Sequence, residues 1–282
     1  MAHPQIAVFP RLGDGNAEAV RRIEGQKTNL ARSMHSIVYD ANHDEIIVPN
    51  SFAHSIMTFR GGANGEEPPI RVIQGPRTRL VYTDQLDVDS IHNEIFIPVR
   101  WETGGVIEVF DRAAQGDVAP IRILGGPDAA INGSDVTVDP EHNLVLTRGR
   151  GGLRIFNRTD SGNAKPVHVI TGGPKSGTTG PNAPVMVPGT RMFIASTRKF
   201  GAAAKTIEDT NNFQSADEAQ SFLGVWSIDD DGDVAPRWTT AHNILTEVRN
   251  LAVDPKHKTV IVADKGLNAI LTFSFPEAFQ QR

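Results

Sequence analysis

Cysteine is missing from all 282 residues, which removes disulfides, thiolate metal sites and cysteine nucleophiles at once. A basic excess is missing too. The formal net charge is −5, so neither a general nucleic-acid binder nor a membrane-surface binder is expected, and partners should be small molecules or proteins. No apolar run approaches the roughly 20 residues that span a bilayer. Residues 1–15 lack the basic start and apolar stretch of a signal peptide. A soluble chain is expected, with a mature exported form left open and no compartment assigned. The chain also has no Gly-x-Ser-x-Gly, no P-loop, no HExxH, and no Ser/His/Asp set that spacing alone justifies.

What is present is a repeat. IVYDANHDEIIVPNSFAHSIMTF (37–59) returns as LDVDSIHNEIFIPVRWETGGVIEVF (86–110), VTVDPEHNLVLTRGRGGLRIF (136–156) and LAVDPKHKTVIVADKGLNAILTF (251–273), with VMVPGTRMFIAST (185–197) as a degenerate copy. Aligned on Asp40, Asp89, Asp139, Pro188 and Asp254, the copies lie 49 or 50 residues apart except for one longer interval. Each unit continues into a further short run: PPIRVIQG (68–75), APIRILGG (119–126), KPVHVITGG (165–173) and APRWTT (235–240), with VRRIEG (20–25) as the first of the kind. Every repeat thus holds four short strand candidates with turns between them and no room for crossover helices.

Tandem four-strand units of this period predict an all-β chain, one β-propeller domain over residues 1–282. Inner, second and fourth strands each number five, whereas third strands number six. Five blades are therefore expected, with six as the alternative. Residues 5–25 should close the ring against the C-terminal repeat and leave one third-type strand over at the seam. Residues 199–222 break the period inside the fourth repeat, as a lid or a disordered insertion would.

The IRxIxG fourth strand, followed by Thr-x-Leu at 28–30 and 78–80 and then an xxVD inner strand, resembles bacterial NHL-type propellers over nearly the whole chain. That resemblance implies the fold and little chemistry. A weaker, architectural resemblance is to gluconolactonase/paraoxonase-type propeller hydrolases, which hold a divalent ion with axial carboxylate and amide side chains. This chain has no Glu at the starts of its inner strands.

Alternation along the inner strands divides them into two faces. One, from Ile37 and Tyr39 through Val185 and Val187 to Leu251 and Val253, is apolar and should pack between blades. The other, from Ser36 through Gln85, Asp87, Asp135, Pro184 and Met186 to Asn250, is mixed and should face the axis. The starts of inner strands and the ends of second strands share one rim. That rim should gather His35, Asp84, Asp135, Asn182 and Asn250 with Asn50, Arg100, Arg148, Arg150, Arg198 and Arg249.

Asp84, Asp135, Asn182 and Asn250 offer the oxygen ligands that Ca²⁺ or another divalent cation takes, although polar channel walls also simply hold water. His35 and Asp135 are the catalytic candidates, His35 for proton transfer. Asn50 and the five arginines would bind an anionic substrate. These residues point to a hydrolase of an ester, lactone or phosphoester; the alternative is a non-catalytic scaffold for a protein or a small anion. The turn histidines His43, His92, His142 and His257 and the aspartates Asp40, Asp89, Asp139 and Asp254 recur blade by blade, and are read as structural.

Overall fold

A computed structural model describes residues 4–32, 34–200, 221–241 and 244–280. The expected insertion at 199–222 therefore lies almost wholly outside the described residues. The chain forms a five-bladed β-propeller with almost no helix. Blade 1 comprises β3 (Val38–Asp40), β4 (Glu45–Asn50), β5 (Ser55–Arg60) and β6 (Arg71–Gln74); blade 2 comprises β7 (Asp87–Asp89), β8 (Glu94–Trp101), β9 (Gly104–Asp111) and β10 (Arg122–Gly125). Blade 3 is built from β11 (Ile131–Asp139), β12 (Leu144–Gly149), β13 (Gly152–Asn157) and β14 (His168–Thr171). Blade 4 is built from β15 (Asn182–Met186), β16 (Met192–Arg198), β17 (Ser221–Ser227) and β19 (Trp238–Thr239). Blade 5 has three strands, β20 (Val248–Asp254), β21 (Thr259–Asp264) and β22 (Ala269–Ser274).

The turn between first and second strands is built the same way in four blades. His43, His92, His142 and His257 each place Nδ1 2.6–2.7 Å from Oδ2 of Asp40, Asp89, Asp139 and Asp254. The other carboxylate oxygen of each aspartate accepts backbone N–H groups of the same turn. The repeated Asp and His are thus turn residues, as their recurrence implied.

The outer rim is stitched by the turn between third and fourth strands. Gly65, Gly116 and Gly162 form parallel bridges with Ile23, Ile73 and Leu124, the fourth strand of the unit before. In blade 4 the same link is β18 (Gly232–Asp233), which pairs with β14. The residue after each glycine then caps the loop that follows that strand: Asp117 accepts from Arg77 N and Asn163 from Asp128 N. Gly75 allows this approach, since at φ 138 any Cβ there would fall 2.5 Å from the Asp117 carboxyl carbon.

Between blades lie apolar clusters, one for each neighbouring pair from blade 1 to blade 5. Buried ion pairs add to them. Glu45 is held by Arg71 of its own blade and Arg112 of the next, and Glu94 likewise by Arg122 and Arg158, all at 2.5–2.6 Å.

Three expectations need correction. The N-terminal strands β1 (Gln5–Val8) and β2 (Arg21–Glu24) pair with each other, and β2 also bridges to Gly65 of blade 1; among the described residues neither pairs with blade 5. They pack on blade 1 instead, Ile6 and Ile23 against Ile46, Val48, Met57 and Phe59. The reason is one of strand type: β1 is a third strand, and blade 5 already has one in β22. Second, this leaves Ile37 and Tyr39 48% and 58% exposed, although their counterparts Leu86, Val136 and Leu251 are buried. Third, Val187 rather than Pro188 occupies the aspartate position of the fourth repeat, because Met186 pairs with Phe193 and Val187 N bonds Met192 O. That one-residue shift packs Met186 against blade 3 rather than facing it to the axis, while Val187 packs between blades, as expected, against blade 5.

Candidate functional site

At the axis, side chains of the inner strands bond from blade to blade. Gln85 Nε2 donates to Arg249 O at 3.0 Å, and Asn250 Nδ2 to Ser36 Oγ at 3.3 Å, joining blade 5 to blades 2 and 1. Asp87 accepts from Val138 N and Thr137 Oγ1 at 2.8 and 2.9 Å. Asp135, 7% exposed, accepts from Ala183 N at 3.3 Å. Burial pushes the Asp87 carboxyl up to about 6 in spite of its hydrogen bonds. Burial also raises Asp135, with Arg148 working the other way. These groups are inter-blade links.

Above them the mouth is an arrangement of ions. His35 Nδ1 lies 2.8 Å from Asp84 Oδ1, across from blade 1 to blade 2, and the imidazole is 43% exposed. Arg100 approaches Asp84 Oδ2 at 3.6 Å and lies 5.9 Å from the Tyr82 ring centroid. The hydrogen bond from His35 holds Asp84 below its ordinary value against partial burial, and Arg100 and Arg249 add to the effect. Arg249 in turn pairs with Glu247, which also faces Lys265 at 3.7 Å. On the far side Arg148 Nη1 donates to Asn182 Oδ1 at 2.9 Å. An ionised Asp84 fixes the proton of a neutral His35 on Nδ1 and leaves Nε2 as a base.

Of the expected residues, the structure thus brings His35, Asp84, Asp135, Arg148, Arg100 and Arg249 into one electrostatic group. Arg150 stands beside Arg148 on a neighbouring cleft. Asn50 is 1% exposed and donates to Asn29 O, so it is closed to a ligand. Arg198 ends β16 next to the segment that is not described. The four expected metal ligands are engaged with protein groups: Asp84 with His35 and Arg100, Asp135 with Ala183 N, Asn182 with Arg148, Asn250 with Ser36 and Leu251 N. Among the described residues no group of three or more His, Asp or Glu side chains is arranged to hold a metal ion.

The sequence reading passed over Glu108, Arg79, Trp101 and Arg154. Glu108 on β9 is wholly buried between blades 1 and 2, and both its carboxyl oxygens and the Trp101 indole nitrogen have no hydrogen-bond partner. Arg79 stacks over the Trp101 ring at 3.9 Å. VIEVF reads as ordinary alternation, with Glu outward. A blade interior has neighbours on both faces, which is what buries it.

No helix among the described residues is long and apolar enough to cross a membrane. No family model and no curated protein matches the chain. Solved structures do. The chain is similar to a putative 6-phosphogluconolactonase from Bacteroides uniformis, with TM-score 0.55 and 16% identity over 95% of this chain and 72% of that one. It is similar to hydrazine synthase of Kuenenia stuttgartiensis at TM-score 0.55 and 12% identity, covering 85% of this chain and 57% of that one, so it spans little more than half of that protein. The Swd1 β-propeller domain of Myceliophteria thermophila gives TM-score 0.53 and 9% identity over 83% of this chain and 63% of that one. At these identities the likeness is one of fold, and the fold is a β-propeller.

Proposed function

We propose that the chain hydrolyses an ester or lactone at the axial mouth, with His35 as the general base. The observation that carries this reading is the His35–Asp84 hydrogen bond of 2.8 Å on a solvent-open rim flanked by guanidinium groups. Asp84 is a positioning residue, holding the imidazole with Nε2 toward solvent. Water gives a proton to Nε2 as its oxygen attacks the carbonyl carbon. The imidazolium then returns that proton to the departing alkoxide as the carbon–oxygen bond breaks. Arg100 and Arg249 supply positive charge for the oxyanion or for an anionic substituent. The NHL-type repeat pattern and the likeness to a lactonase fold guide only the choice of test substrates.

The experiment is a panel of δ-lactones and activated esters with the wild type and His35→Gln. Turnover by the wild type and a loss of roughly 100-fold or more in the variant are expected. A variant as active as the wild type would overturn the assignment. No step is routed through a divalent ion, because the candidate donors are engaged by protein groups. Chelator should leave turnover and the thermal midpoint unchanged; a loss restored by Ca²⁺ would reinstate Asp135 and Asn250 as ligands.

One observation favours the second reading, a scaffold that binds a protein. Among the described residues blade 5 has no fourth strand, Ile270 on β22 is 64% exposed, and Ile37 and Tyr39 of blade 1 are exposed as well. A partner covering this seam would explain it. Ile270→Lys would then abolish association without affecting turnover.

A further inference from the structure

Beside the mouth, the rims of blades 2 and 3 enclose a cleft of about 970 Å³. The tip of the β8–β9 hairpin forms one wall, and the loop before β11 together with the end of β12 forms the other. Arg79, Arg148 and Arg150 line it beside Trp101, Val106 and Ile123, and no Asp or Glu does. A fourth guanidinium lies just behind. A Cβ on Gly149, itself in the lining, would fall 2.5 Å from Arg154 Nε, and that nitrogen is buried with no hydrogen-bond partner.

None of these four arginines forms an ion pair with a described carboxylate. Arg148 donates to the neutral Asn182 amide, Arg154 Nη2 to Arg150 O at 2.8 Å, and Arg79 rests on the Trp101 ring. Burial and then the like charge of Arg150 pull the Arg154 guanidinium below its ordinary value. Elsewhere this chain neutralises its buried guanidiniums with carboxylates, as Glu45 and Glu94 do for four of them. A chain of net charge −5 has acids to spare, yet this cleft excludes them.

We infer that the cleft binds an organic phosphate. The phosphate lies on Arg148 and Arg150, where planar forks match its oxygens. Its apolar body rests on Trp101, Val106 and Ile123, while Arg79 is held at the edge by the ring it covers. The dianion supplies the negative charge that no side chain lining the cleft provides. The inference does not depend on the proposed hydrolysis, because binding is read without turnover.

The test is a calorimetric titration of the full chain with phenyl phosphate, inorganic phosphate and phenol, at low and high salt. Phenyl phosphate should bind one per chain and more tightly than inorganic phosphate, phenol should not bind, and added salt should weaken the complex. Arg150→Ala and Arg79→Ala, both at exposed positions, should each weaken binding roughly tenfold or more, with Arg150→Lys recovering part of the loss. Arg60→Ala, whose residue pairs with Glu67, is the control and should bind as the wild type does. Thermal midpoints confirm that each variant is folded. Absent binding of phenyl phosphate, equal binding of phenol, or unchanged affinity in both alanine variants would each overturn the assignment.

Discussion

Replacing Glu108 by glutamine isolates the cost of one buried charge. Its carboxyl oxygens have no hydrogen-bond partner, and burial pushes it up to about 7 from an ordinary value near 4.5, with the positive charge of Arg79 giving only partial relief. A displacement of that size corresponds to about 3 kcal/mol between the protonated and ionised folded states. Because the folded state keeps its proton where the unfolded chain has lost it, stability is greatest below the ordinary value. It declines as pH rises from there to about 7, and is then constant. Glutamine has nearly the same shape and cannot ionise. Glu108→Gln should therefore match the wild type near pH 4 and exceed it at pH 8 by about 3 kcal/mol, or roughly 6 °C in thermal midpoint for a domain of this size. Unfolding followed by circular dichroism at both pH values measures this, and the difference between the two proteins cancels other titrating groups such as Asp87. Glu108→Met should behave alike at pH 8. A variant that is less stable by the same amount at both pH values would mean that the carboxylate has a partner, and the reasoning would fail.

Two further outcomes follow from the blade junctions. Glu94→Gln removes the counter-ion of two buried guanidiniums, Arg122 and Arg158, and should cost about 3–5 kcal/mol in urea unfolding at pH 7. Burial opposes the Glu94 charge, but the two arginines prevail and hold it below its ordinary value, so this contribution is present at neutral pH and fades as pH falls through that lowered range. Gly75→Ala places a methyl 2.5 Å from the Asp117 carboxyl carbon at φ 138, and should cost at least about 1–3 kcal/mol by the same measurement.

The blades were legible because their signals are local and repeated: a Val-Asp strand end, a His turn, a glycine turn, a fourth strand starting from Pro. Recurrence also separated structural histidines from His35, which has no counterpart on the other blades. The seam was harder. Strand type was readable in QIAVF, but not that β22 would keep β1 out of blade 5, since that is a competition between two segments far apart in sequence. In the fourth repeat Val-Pro imitated Val-Asp one residue late, and only the pairing of Met186 with Phe193 reveals the true register. At the axis, alternation correctly marked Gln85, Asp87, Asp135 and Asn250 as polar and inward. It could not show that such groups bond to backbone and hydroxyl groups of other blades, leaving the ions one step farther out. The cleft was invisible because Arg79 lies in the turn between β6 and β7, Trp101 at the end of β8 and Arg154 on β13, and no spacing relates them.

The most direct measurement is a double-mutant cycle between His35 and Asp84 on kcat/KM for the best lactone or ester in the panel, with the pH profile of each variant. If Asp84 acts only by positioning and charging the imidazole, Asp84→Asn should lower kcat and move the acidic limb of the profile. His35→Gln with Asp84→Asn should then be no worse than His35→Gln alone. Losses that simply add, or an unchanged profile in Asp84→Asn, would contradict a His35–Asp84 unit at the mouth.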